Sequence, residues 1–243
     1  MPGVTVPALV IALAAAAAAS TGFGFNLLSA PLLTFLYPAP RVVVLTLLLG
    51  VCASGLLTLQ PAVRRTVDWA VVRPLYLSSL CGMPIGLVLL WWGRPQALKA
   101  AIAGLTAVFA VAMLARVRPR LGTGLAQTAV VGALSGVLAT STSLSGPPVA
   151  LYLVARGLTK GGFRSNMVVY VFLSSLTSVV LLALGGTIDG ATVRFAARLL
   201  PALAVGFAGG LLLAHRLSDR GFERLVLGFL AVVGVLGVGA ALR

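Results

Sequence analysis

Long uncharged apolar runs, separated by short clusters rich in arginine, organise the whole chain. A helix needs about 20 apolar residues to cross a bilayer. In the first half, residues 42–59, 74–92 and a stretch ending near residue 115 suit single spans. In the second half, residues 167–184, 199–214 and 225–242 do the same. Two runs, 7–36 and 125–154, are too long for one straight helix, at about 30 residues each. Both carry a polar, glycine- and proline-bearing interruption. The first holds Ser20, Thr21, Gly22, Gly24, Asn26, Ser29 and Pro31; the second reads ATSTSLSGPPVALY from Ala139 to Tyr152. Proline lacks the amide hydrogen and clashes with the preceding turn, so a helix stops there. A hydroxyl residue followed by Gly-Pro suits the start of a new helix. Each half is therefore expected to open on a pair of short helices separated by a break.

The halves also align with each other. Leu28-Ser29-Ala30-Pro31 matches Leu144-Ser145-Gly146-Pro147, and Arg41 matches Arg164. Gly86-Leu87-Val88-Leu89 matches Gly210-Leu211-Leu212-Leu213, and Gly104 then matches Gly228 without a gap. The expected organisation is an N-terminal membrane repeat over 1–115, a basic linker over 116–124, and a C-terminal membrane repeat over 125–243. The fold class is all-α, polytopic and membrane-embedded.

Loop charges bear on topology. If each interrupted segment crosses once, lysine and arginine divide evenly between the two sides. If each is a re-entrant hairpin, the loops near 60–74, 115–124, 156–164 and 216–224 hold twelve basic residues against six opposite. The positive-inside rule favours the hairpin. That arrangement makes the halves inverted repeats with three full spans each and both termini outside the cytoplasm. Half-helices of about 15 residues would reach roughly 22 Å, enough to meet near the midplane.

Composition narrows the function classes. Of 243 residues 60% are hydrophobic and 9% charged, with a mean hydropathy of +1.10, against roughly a quarter charged in soluble domains. The net charge of +14 sits at the ends of apolar runs and forms no continuous basic face, which excludes nucleic acid and points to lipid headgroups as partners. Four acids and one histidine, His215, do not make a dedicated metal site, and no cofactor motif is present. Cys52 and Cys81 read as buried small hydrophobes. The alanine-rich N-terminus has no basic residue before Arg41, so it reads as a first membrane element rather than a signal peptide.

A helix start at membrane depth offers amide hydrogens and a partial positive charge, a seat for a small anion. The candidate binding residues are Gly24, Asn26, Ser29, Ala30 and Pro31 at the first break, and Thr142, Ser143, Ser145, Gly146 and Pro147 at the second. Arg41 and Arg164 are candidates for the vestibules, where headgroup anchoring explains them equally well. Paired interrupted segments in duplicated halves point to a transporter with its site where the breaks meet. No acid lies within a span and no Walker motif occurs, so neither a carboxylate relay nor ATP hydrolysis is expected of this chain. An anion channel, a membrane scaffold and an intramembrane serine hydrolase are the alternatives. The hydrolase would need His215 beside Ser143 or Ser145.

The segment SGPPVALYLVARGLTKGGFRS, from Ser145 onward, resembles the second-half signature of the TauE/SafE-type sulfite exporters, and GFGFNLLSAPLLTFL before Pro40-Arg41 resembles the first. The resemblance covers nearly the whole chain. It implies export of sulfite, sulfonates or related oxyanions across the cell's inner membrane. Two departures stand out: Phe25 and Asn26 follow Gly24 where the family carries a glycine run, and Thr142, Ser143 and Ser145 occupy much of the second glycine-rich region. The glycine-bearing face of Gly228, Gly234 and Gly237 suits packing within the chain or against a second copy, so a homodimer is a further expectation.

Overall fold

A computed structural model describes residues 3–22, 24–115 and 124–214. The described residues form ten helices and no strand: α1 Thr5–Thr21, α2 Phe25–Leu33, α3 Ala39–Thr58, α4 Pro61–Thr66, α5 Trp69–Trp92, α6 Pro95–Leu114, α7 Leu125–Thr142, α8 Gly146–Ala155, α9 Lys160–Leu184 and α10 Gly190–Ala214. Six of them, α3, α5, α6, α7, α9 and α10, are long and apolar enough to cross a membrane. The final apolar run, His215 and the glycine face at 228–237 lie outside the described residues.

Both expected breaks are present, but the first lies upstream of its predicted place. Gly22 closes α1 in the left-handed conformation at φ 87°, its amide bonded to Ala18 O, and Gly24 at φ 104° opens α2. Two glycines bracketing one residue let the chain reverse where a side chain would be strained. Ser29-Ala30-Pro31, aligned with the Ser145-Gly146-Pro147 start, lies inside α2 instead of opening it. Ser29 Oγ donates back to Phe25 O at 2.7 Å, consuming its hydroxyl within the helix. The second break falls as read: α7 ends at Thr142 with Ser143 as its C-cap, and α8 begins at Gly146 with Pro147 in its first turn. The limbs are unequal, 17 then 9 residues and 18 then 10, not two matched half-helices.

Several boundaries lie earlier than the charge pattern suggested. α5 starts at Trp69, because the Asp68 side chain accepts from Ala70 N and caps the helix ahead of Pro74. α9 starts at Lys160, and Thr159 caps it by accepting from Gly162 N. α10 starts at Gly190 rather than near residue 199, so Arg194 and Arg198 sit in its first turns. There Asp189 accepts the Thr192 amide.

Packing interleaves the two halves. α1 lies along α10, α7 lies along α5, and α3 crosses α9 at the centre. The first two contacts are backbone-close. A Cβ on Gly82, Gly86 or Gly136 would collide with the backbone of Ala133, Val137 or Ser79, and one on Gly206 or Gly210 with the backbone of Ala12 or Ala16. Without a hydrophobic drive between helices in lipid, such close approach is what dispersion and weak contacts require. Gly86 and Gly210, paired by alignment, thus do the same work in opposite halves. Cys52 and Cys81 correct the sequence reading: both are free and exposed on outer helix faces.

Candidate functional site

The ends that meet at the two breaks border a partly open cavity of about 40 Å³. Its walls are Ala18 and Gly22 from α1, Gly24 to Leu27 at the start of α2, and Gly50, Ala53, Ser54 and Leu57 from α3. Phe109, Val171 and the segment Ser143 to Pro147 complete it. By the measure in which one water takes about 10–15 Å³, it holds roughly three waters or a ligand of three or four heavy atoms. Gly50 and Val171 lie near the middles of α3 and α9, which puts the cavity deep between the ends of those spans.

Both short helices present their N-termini here, with different donor sets. In α2 the first intrahelical amide bond runs from Leu28 N to Gly24 O at 3.0 Å. The amides of Phe25, Asn26 and Leu27 therefore have no partner within the helix. In α8 the first three positions are Gly146, Pro147 and Pro148, and the prolines carry no amide hydrogen. Gly146 is the one N–H donor of those three. Its direction is fixed from behind. Ser135 Oγ donates to Ser145 O, and Tyr170 OH donates to Ser135 Oγ at 2.7 Å. Across a trans peptide the carbonyl and the next amide point opposite ways, so holding Ser145 O toward Ser135 aims the Gly146 amide away from it.

A second feature is backbone strain. Ser143 has φ 62°, the one non-glycine positive φ among the described residues. Holding a non-glycine residue there costs on the order of 1–3 kcal/mol unless the surroundings impose it. Two contacts do so: Thr46 Oγ1 donates to Ser143 Oγ at 2.9 Å, and Asn26 Nδ2 donates to Ser143 O at 3.0 Å. The Asn26 bond joins the two breaks directly across 117 residues of sequence. Gly50 makes room for it, since a Cβ there would lie 2.7 Å from Asn26 Oδ1.

Of the residues singled out by sequence, Gly24, Asn26, Ser143, Ser145, Gly146 and Pro147 line the cavity. Ser29, Ala30, Pro31 and Thr142 are buried but do not line it, and Thr142 Oγ1 is spent on Leu138 O at 2.8 Å. The matched arginines diverge. Arg41 sits over Tyr37 and Phe195, at 5.1 and 5.4 Å from the ring centroids, at the edge of the bundle. Arg164 packs against Gly22 on the cavity wall and donates from Nη2 to Ala19 O at 3.2 Å, while its Nε is buried without a partner. Thr46, Gly50, Ser135 and Tyr170 escaped the sequence reading. Gly50 and Thr46 sit in a clean apolar span, where no local signal separates them from packing residues. Among the described residues no three His, Cys, Asp or Glu side chains cluster as a metal site would need.

Six apolar helices of spanning length define a polytopic α-helical membrane protein. The family model of the sulfite exporter TauE/SafE family matches residues 7–236, nearly the whole chain, and the chain belongs to that family of membrane transporters. Searches of curated proteins and of solved structures found no match.

Proposed function

We propose that this protein exports small oxyanions, such as sulfite, sulfonates or related sulfur and organic acids, across the cell's inner membrane. The charged oxygens of the anion rest in the cavity between the two breaks, on the amides that open α2, on the Gly146 amide, and beside Asn26, Ser143 and Ser145. The observation that carries this reading is the convergence of two helix N-termini on one partly open cavity with room for an oxyanion group. A neutral hydrogen bond nets about 1 kcal/mol and a charge-assisted one up to about 3. A handful of such donors holds an anion and still releases it. Arg164, with no acidic partner among the described residues and an unpartnered Nε, supplies positive potential at the Gly22 wall.

Alternating access follows from relative motion of two repeats around this fixed point. The packing supports such a duplication: exchanging the halves exchanges the α1–α10 contact with the α7–α5 contact and leaves α3–α9 as it is. The short second limbs lie back against the first limbs of their own halves, α2 on α1 and α8 on α7, as hairpins do. On that reading the repeats are inverted and the termini face away from the cytoplasm.

Flux of sulfite from proteoliposomes tests the function. Saturation with concentration separates a carrier from a channel, and retained flux in His215→Ala separates both from a serine hydrolase. Wild-type flux in both Ser145→Ala and Asn26→Leu, each shown to be folded, removes the proposed site.

A further inference from the structure

We propose that the anion taken by this cavity brings a proton of its own, and that Asn26 Oδ1 accepts it. This rests on the anion-site reading above and narrows it to compact monoanions that keep one acidic hydrogen, of the hydrogencarbonate or hydrogensulfite kind. Asn26 is 8% exposed, and its amide orientation is fixed by the bond from Nδ2 to Ser143 O. Turning the amide over would set two carbonyl oxygens against each other. In the orientation that remains, Oδ1 is buried and has no donor. The wall beside it is Gly50, which has no side chain to offer.

A buried carbonyl oxygen without a donor is costly, and none of the described residues donates to this one. Among the described residues lining the cavity, none is an acid, a histidine, a lysine, a tyrosine or a cysteine. The charged group on the cavity wall is Arg164, packed against Gly22 and bonded to Ala19 O and Gln60 Oε1. The hydrogen for Oδ1 must therefore come from what fills the cavity. An oxyanion with lone pairs alone would face Oδ1 oxygen to oxygen. One bearing a hydroxyl places its charged oxygens on the α2 and Gly146 amides and its hydrogen on Asn26. A site built to bond a ligand's hydroxyl rejects the analogue lacking it more strongly than size selection can.

Two probe pairs isolate the proton. Hydrogencarbonate and nitrate share shape, charge and heavy-atom count, as do hydrogensulfite and chlorate in mildly acidic buffer. Affinities are read by thermal stabilisation of the detergent-solubilised protein over a concentration series. The expected result is a preference of about fivefold or more for the protonated member of each pair, in line with one buried hydrogen bond. Asn26→Leu, which also loses the bond to Ser143 O, should weaken all four probes and leave no preference within either pair. Equal affinities in the wild type, or a preference that persists in folded Asn26→Leu, would overturn the inference and leave the anion site standing. Failure of all four probes to bind overturns both. Should Asn26→Leu not fold, the wild-type comparison decides alone.

Discussion

Gly50→Ala puts the joint between the two breaks under direct load. The new Cβ would lie 2.7 Å from Asn26 Oδ1, 3.3 Å from Nδ2 and 3.4 Å from Cγ. Favourable non-bonded contact begins near 3.5 Å, so the amide must shift by about 1 Å. The Nδ2 to Ser143 O bond, now 3.0 Å, then opens to about 4 Å and is lost. Leaving that carbonyl unpaired costs about 1–3 kcal/mol, while alanine gains about 1 kcal/mol over glycine in a helix interior. The net destabilisation is about 0–2 kcal/mol, a drop of at most about 8 °C on the scaling of globular proteins. Ligand binding should suffer more, because the displaced amide disturbs both helix starts. We expect at least tenfold weaker affinity, about 1.4 kcal/mol. The assay is thermal unfolding of purified protein against sulfite concentration. Gly55→Ala is the control, since its Cβ meets only the Phe172 ring, at 3.3 Å. Full ligand-induced stabilisation in Gly50→Ala, equal to that of the control, would refute the view that Asn26 and Gly50 shape the binding cavity.

Adjacent glycines should respond oppositely. Gly209→Ala faces open space and should be neutral or stabilising by up to about 1 kcal/mol, whereas Gly210→Ala meets the Ala16 backbone and should cost about 1–3 kcal/mol, as read by thermal unfolding. Ser135→Ala and Tyr170→Phe remove consecutive links behind the Ser145 carbonyl; each should cost about 1–2 kcal/mol, and a double-mutant cycle should show them non-additive. The Asp189 carboxylate, outside the spans, is held below the ordinary carboxylate range chiefly by the Thr192 amide. A depressed folded-state value gives stability that is complete above the unfolded value of about 3.9 and lost as the pH falls through the lowered one. Asp189→Asn should therefore flatten the acid limb of a pH–stability curve below about pH 4 by lowering stability at neutral pH and sparing it in acid.

Much of the architecture was legible because lipid imposes simple rules. Apolar length marked the spans, and proline with small polar residues marked the second break to the residue, because Ser145-Gly146-Pro147 carries both a stop and a start signal. The first break was displaced because Pro31 was given that role, although a short helix tolerates it in its last turn. The chain reverses instead at Gly22 and Gly24, whose positive φ values leave no mark in a glycine-rich sequence. Helix starts were read late wherever arginine lies in a first turn, as at Arg194 and Arg198, since charge near the interface looks like loop. The site was half visible. Asn26 and Ser143 stood out as polar groups in an apolar run. Their partners Thr46, Gly50, Ser135 and Tyr170 became evident only when distant spans came together.

The central claim is that the openings of α2 and α8 hold one anion between them. A structure solved with a strongly scattering oxyanion such as selenite, read from its anomalous difference density, tests this most directly. The account predicts a peak within hydrogen-bond distance of the Gly146 amide and of the Phe25 to Leu27 amides, beside Asn26. Density confined to the arginines at the membrane edge, with the cavity between Gly24 and Ser145 holding none, would contradict it.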